Sequence, residues 1–127
     1  MLMPEKLDVR WARCGEDRHW CNLLTLDLDP VKDKEGVYII WNSKEDRNVV
    51  YVGQGNLYNR LEAHKTNDEI INFSINDYLF VTWAIVPEKY RDGVERYLIE
   101  HYKPFLNQKL PKTDAIKVNN PSNRHGT

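Results

Sequence analysis

Arg60 and His64 stand four residues apart, so on a helix they share one face. A guanidinium is a permanent cation whose planar fork suits phosphate oxygens, and an imidazole can hold or pass a proton near neutrality. Glu95 lies on a second stretch of helical spacing, in one stripe with Leu98, Ile99 and Tyr102. A carboxylate at the edge of an apolar face requires a partner or a metal ion. Asp92-Gly-Val-Glu95 also reads as a capping box, which would spend the same carboxylate on a helix start. A helix beginning earlier, near Glu88, would exclude that use.

Two other patterns invite chemistry and carry less. Gly53 and Gly55 follow an apolar run, but GQGNLY has no third glycine for a dinucleotide fingerprint, and no GK[ST] supports a P-loop. The two glycines either make a turn or let a ligand or chain segment approach the strand end closely. Cys14, His19 and Cys21 are three soft ligands in a short span, without an evident fourth and in no common zinc spacing.

Elements of recognisable type must position these side chains. GVYIIW (36–41) and VVYVG (49–53) are β-branched and aromatic, and the polar NSKEDRN between them makes a hairpin. Asn56 can cap a helix over LYNRLEAHK, with Leu57 and Leu61 four apart. YLFVTWAIV (78–86) reads as a covered strand, and RDGVERYLIEHY (91–102) as a helix that Pro104 ends. The expectation is an α/β chain of the α+β type. It has a small three-stranded antiparallel sheet flanked by helices, in the order β-β-α-β-α. An N-terminal extension precedes it, and a loose tail starts near Asn119. The boundaries expected are 1–35 for the extension packed on the core, 36–110 for the core domain and 111–127 for a basic tail. Centring the hairpin turn on Lys44–Glu45 pairs Tyr38 with Tyr51 and Gly36 with Gly53, which sets two phenols side by side.

Composition narrows the field. At 127 residues the chain is one domain, and 41% hydrophobic residues suffice for one core. Trp11, Trp20, Trp41 and Trp83 suit a core or an interface. No apolar run approaches a membrane span and MLMPEKLDVRWARC has no apolar leader, so a cytoplasmic setting and free thiols at Cys14 and Cys21 are expected. The net charge of -1 argues against strong non-specific binding to duplexes. From Lys103 onward, however, Lys103, Lys109, Lys112, Lys117 and Arg124 face Asp114 alone. That stretch is either a solvated surface or a phosphate-facing one.

Taken in order, these pieces resemble the GIY-YIG nuclease family. Gly36-Val37-Tyr38 stands where that family has GIY, and Tyr51-Val52-Gly53 where it has YIG. Arg60 follows at the family's usual distance and His64 one turn later. Glu95 opens the second long helix, and Lys103-Pro104-Phe105-Leu106-Asn107 resembles the P-x-L-N ending. The resemblance covers about residues 36–107. It implies an endonuclease that hydrolyses phosphodiesters with one divalent cation, Mg²⁺ or Mn²⁺, held by Glu95. Arg60 would hold the scissile phosphate. Tyr38, or with the roles exchanged Tyr51, would orient or deprotonate the attacking water, the other phenol being its hydrogen-bonding neighbour. His64 would support a tyrosine or shuttle its proton. Gly53, leaving room for a phosphate, would surround the substrate together with Gln54, Asn56 and Asn107. The implied partner is nucleic acid, DNA first, with a protein partner supplying specificity. Gln54 departs from the lysine that many relatives carry there. Gln54 and the acidic balance keep two rival classes in view. One is a nucleic-acid-binding module of the same fold, and the other is an interaction protein docking through its tryptophan-cysteine segment.

Overall fold

The computed structural model describes residues 3–44, 48–107 and 109–121. The chain runs β1 (Lys6–Leu7), β2 (Cys21–Asn22), a 3-10 turn (Asp29–Val31), β3 (Glu35–Trp41) and β4 (Val49–Asn56). It continues with α1 (Leu57–His64), α2 (Asp68–Ile71), β5 (Phe80–Ile85), α3 (Glu88–Tyr102) and β6 (Lys117–Val118). The main sheet is antiparallel with four strands in the order β2-β5-β3-β4. The expected three strands are thus corrected to four, because the N-terminal extension lays Cys21–Asn22 against Val81 and Phe80 of β5. A two-residue strand has too few side chains to announce itself by alternation.

Period-2 alternation divides the sheet's residues between two faces. Val37, Ile39, Trp41 and Val52 pack with Val94 and Leu98 of α3. Tyr38, Ile40, Val50 and Val81 pack with Leu57 and Leu61 of α1. Three tryptophans, Trp11, Trp20 and Trp41, are buried. Among the described residues no helix is long and apolar enough to cross a membrane.

The hairpin register differs from the expected one. Gly36 pairs with Gly55, Tyr38 with Gly53 and Ile40 with Tyr51, and the register then shifts so that Trp41 pairs with Val49. Glu45, half of the expected turn centre, lies outside the described residues. The pairing is moved by two residues, which preserves side-chain parity. Tyr38 and Tyr51 therefore remain on one face, as diagonal neighbours and not as a direct pair. The unpaired Val50 is a bulge, and it turns both Val50 and Tyr51 toward the α1 side while Val49 and Val52 face α3.

Three further expectations are corrected. Helix α3 begins at Glu88, one turn before the RDG segment, because Pro87 fits the helix entry and Arg91 is buried between Glu35 at 2.8 Å and Glu88 at 3.3 Å. Cys14 and Cys21 form a disulfide and are not free thiols. Reciprocal backbone bonds between Cys14 and His19 fold the segment on itself and leave the cysteine Cα atoms 5.2 Å apart, within bridging reach. That bond consumes both sulfurs of the zinc pattern, and His19 pairs with Asp17 at 2.7 Å. Finally, Asn119 is tied down. Its side chain bonds both the N–H and the C=O of Val9, and its carbonyl accepts from Trp11 Nε1 at 2.7 Å. Residues 122–127 of the expected loose tail lie outside the described residues.

Candidate active site

Strand β4 is the sheet edge that carries the candidate side chains, and its outer side is covered. Past α3 the chain reverses at Lys103, with φ 49°, and Phe105 and Leu106 donate their N–H groups to Val49 and Val50 at 3.1 and 3.0 Å. Asn107 then acts as a side-chain rung. Its Oδ1 accepts from Val52 N at 2.8 Å and its Nδ2 donates to Val52 O at 2.7 Å. An edge strand with unpaired groups is a liability, and this return removes it while holding β4 in place.

At its end β4 turns into α1 through Gly55, whose φ of +127° suits glycine alone among the residues. Asn56 caps the helix by accepting from Asn59 N at 2.9 Å. One turn in, Arg60 is exposed, and its Nη2 donates to Tyr51 Oη at 3.4 Å. His64 ends the helix in the core, and its Nε2 shares a 2.6 Å hydrogen bond with the Tyr38 hydroxyl. The Tyr38 and Tyr51 rings stack at 6.1 Å, and His64 meets Tyr51 edge-on at 4.9 Å. Tyr38 thus shares its hydrogen bond with His64, and Tyr51 accepts one from Arg60. The expected tyrosine-tyrosine bond is replaced by these two.

The Gly53 gap is explained from within. A Cβ there would collide with the Tyr38 phenol, so the space expected for a phosphate belongs to this ring. Tyr38 is fully buried and burial raises its pKa above the ordinary phenol value, against the opposing pull of Arg60. Burial first and Arg60 second push His64 down to about 4, which leaves the imidazole neutral at physiological pH. The pKa of Arg60 is raised by Tyr38 above all and by Tyr51 as well, against burial.

Glu95 sits in the second turn of α3, past the N3 position of any cap, so its carboxylate is not spent on the helix start. It is half-buried, and burial raises its pKa. Gln54, across from Val37 on the α3 side of the sheet, donates Nε2 to Glu95 Oε1 at 3.4 Å and to Asp92 Oδ1. Asp92 is a residue that sequence reasoning used only as a cap. Its i,i+3 spacing to Glu95 was the signal that both carboxylates share a helix face.

Two cavities flank Tyr51. One, of about 360 Å³, is lined by Tyr51, Arg60, His64, Asn67 and Leu106 among others. The other, of about 310 Å³, is lined by Tyr51, Glu95, Leu106, Asn107 and Lys109. The Tyr51 phenol is thus bordered by a guanidinium on one side and a carboxylate on the other. Among the described residues no three His, Cys, Asp or Glu side chains cluster closely enough to hold a metal ion between them. The Glu95 carboxylate still suits a hard cation such as Mg²⁺, which binds through one or two carboxylates and keeps several waters. A half-buried acid of raised pKa also gains most from a positive neighbour.

The sequence model of the GIY-YIG catalytic domain matches residues 34–110, well over half of the chain, and the chain belongs to that family. GIY-YIG domains are endonuclease domains that generally use divalent metal ions. No curated protein and no solved structure matches the chain.

Proposed function

We propose that this protein is a divalent-metal-dependent endonuclease hydrolysing phosphodiester bonds in DNA, with structured, repair or recombination intermediates as its substrates. The observation that carries this reading is Tyr51, whose oxygen meets Arg60 and whose ring walls the Glu95 cavity. In this proposal residues 36–110 are the catalytic unit, 1–35 its extension and 111–127 a basic tail.

The first choice of general base passes from Tyr38 to Tyr51. Tyr38 has no exposed surface and burial disfavours its phenolate, so it cannot meet a water molecule. Tyr51 is half-buried and has the adjacent cation that a phenol requires. Arg60 binds a non-bridging oxygen of the scissile phosphate and neutralises charge as the pentavalent centre forms. Tyr51 orients the attacking water and, once its own hydroxyl proton has passed to solvent, accepts the water's proton. The neutral His64 and the buried Tyr38 hold the Tyr51 ring at its angle, and Asn107 fixes the β4 backbone beneath it. Glu95 would hold a Mg²⁺ or Mn²⁺ ion, which when bound would supply positive charge to neutralise the phosphate beside the Arg60 guanidinium. Asn56 acts through the helix cap that delivers Arg60, and Gln54 sets the direction of the Glu95 carboxylate.

A second reading has its own observation. Gln54 already bonds Glu95 and Asp92, which favours a nucleic-acid-binding or protein-interaction module that keeps the fold without the chemistry. Incubation with nicked, branched, single-stranded and duplex DNA and with RNA, with Mg²⁺ or Mn²⁺ and with chelator, separates the two. Cleavage that chelator stops and that Glu95→Ala and Arg60→Ala both abolish is the outcome expected. Metal-independent binding without cleavage would favour the module.

A further inference from the structure

A third cavity, of about 530 Å³, lies at the C-terminal end of α3, lined by Ile99, Glu100, Lys103, Pro104, Asn107, Lys109 and Leu110. Its size is that of a pocket for a small ligand or one monomer unit of a chain. Asn107 and Lys109 also line the Glu95 cavity, so the two spaces adjoin across shared walls. Glu95 and Ile99 stand four apart on α3, and Lys103, four further on, caps its C-terminal end with its N–H on the Ile99 carbonyl, so the three lead from one cavity to the other. Eight residues of helix span about 12 Å, enough to leave the reacting phosphate and meet a neighbouring one.

The charges favour an anionic polymer. Lys103 and Lys109 are exposed cations on the wall, and the wall's acid, Glu100, is compensated by Arg96 at 3.5 Å. Leu110, 43% exposed, and the half-buried Ile99 supply an apolar surface against which a sugar or base can lie. Lys103 also occupies a left-handed position, φ 49° and ψ 62°, at the helix end, where glycine is the favoured residue. A lysine in this position forgoes backbone stability and places a cation at the cavity mouth.

We propose that this cavity is a strand-binding subsite of the Glu95 site, in which Lys103 and Lys109 take phosphates flanking the scissile bond on one side of it. The inference rests on the nuclease reading above and adds a direction to it: the nucleic-acid strand leaves the site along α3 toward Lys103.

The test compares the full-length protein with Lys103→Gly/Lys109→Ser and with Lys89→Ala, an exposed lysine at the other end of α3. Glycine suits the backbone at position 103, so the double variant folds. Substrates cut by the wild type are shortened nucleotide by nucleotide on either side of the cleaved bond, and KM and kcat are measured with Mg²⁺ at several salt concentrations. In the wild type, shortening on one side raises KM steeply. In the double variant the full-length substrate already has a raised KM, and that shortening adds nothing further. Its log-log salt dependence is shallower by about 1.4 for a single strand, two lost phosphate contacts, and Lys89→Ala matches wild type. A double variant that feels shortening on both sides as the wild type does, with an unchanged salt slope, overturns the subsite and leaves the nuclease reading standing. A wild type that cuts no nucleic acid overturns both.

Discussion

One methyl group added at position 53 would stand inside contact distance of the Tyr38 Oη and Cζ and 2.9 Å from its Cε2. Carbon atoms pack best near 3.5–4.0 Å, so the ring must retreat by about 1 Å. It has nowhere to go, since Tyr38 is fully buried between the sheet and α1 and is bonded to His64 at 2.6 Å. Overpacking of this kind costs about 1–3 kcal/mol, and loss of the hydroxyl-imidazole bond adds about 1 kcal/mol. Gly53→Ala is therefore expected to lower unfolding stability by about 2–4 kcal/mol in urea titrations, with the slope unchanged. The Tyr51 ring leans on the displaced phenol, and a misplacement of about 1 Å at a reacting group lowers the rate by about 100-fold. A double-mutant cycle locates the cause. In a Tyr38→Leu background the alanine should cost at least about 1 kcal/mol less, because the obstructing ring is gone. Equal costs in the two backgrounds, or a Gly53→Ala protein within about 0.5 kcal/mol of wild type, would refute the claim that Tyr38 fills this gap.

The other expectations concern the same group of residues. Tyr51→Phe should lower the single-turnover cleavage rate by about 100-fold with an unchanged melting temperature, while Tyr38→Phe should mainly cost stability, about 1 kcal/mol, through its bond to the buried His64. His64 is held at about 4 in the folded protein against 6.5 when unfolded. The unfolded chain takes up the proton first, so stability should fall as pH drops from about 6.5 toward 4 and level off below. That slope should shrink in His64→Gln, as followed by denaturation at fixed pH values. Cleavage should fail on the acid side above the ordinary carboxylate range, because burial raises the Glu95 pKa and only the carboxylate binds a cation. Asn107→Ala removes both bonds to Val52 and should cost about 2 kcal/mol, with faster amide exchange at Val52.

Which elements form was largely written in the order of residues. Runs such as VYIIW and VVYV read as strands by their β-branched and aromatic residues, the Asn56 cap and the Leu57/Leu61 spacing make a helix, and Arg60 and His64 share its face. These are nearest-neighbour properties, set by backbone sterics and side-chain period, and they survive without knowledge of the rest of the chain. Side-chain parity in the hairpin is equally local, which is why the phenols keep one face although their register moved by two. Only the tertiary structure decided which phenol is sealed in and which is open, because that depends on the Val50 bulge and on the return of Phe105–Asn107 along β4. The fourth strand and the anchoring of Asn119 on Val9, 110 residues away, likewise arise from pairings between distant segments. No periodicity encodes such pairings. They are selected when the whole chain buries its apolar faces at once, and in this protein that burial assigns each tyrosine its surroundings.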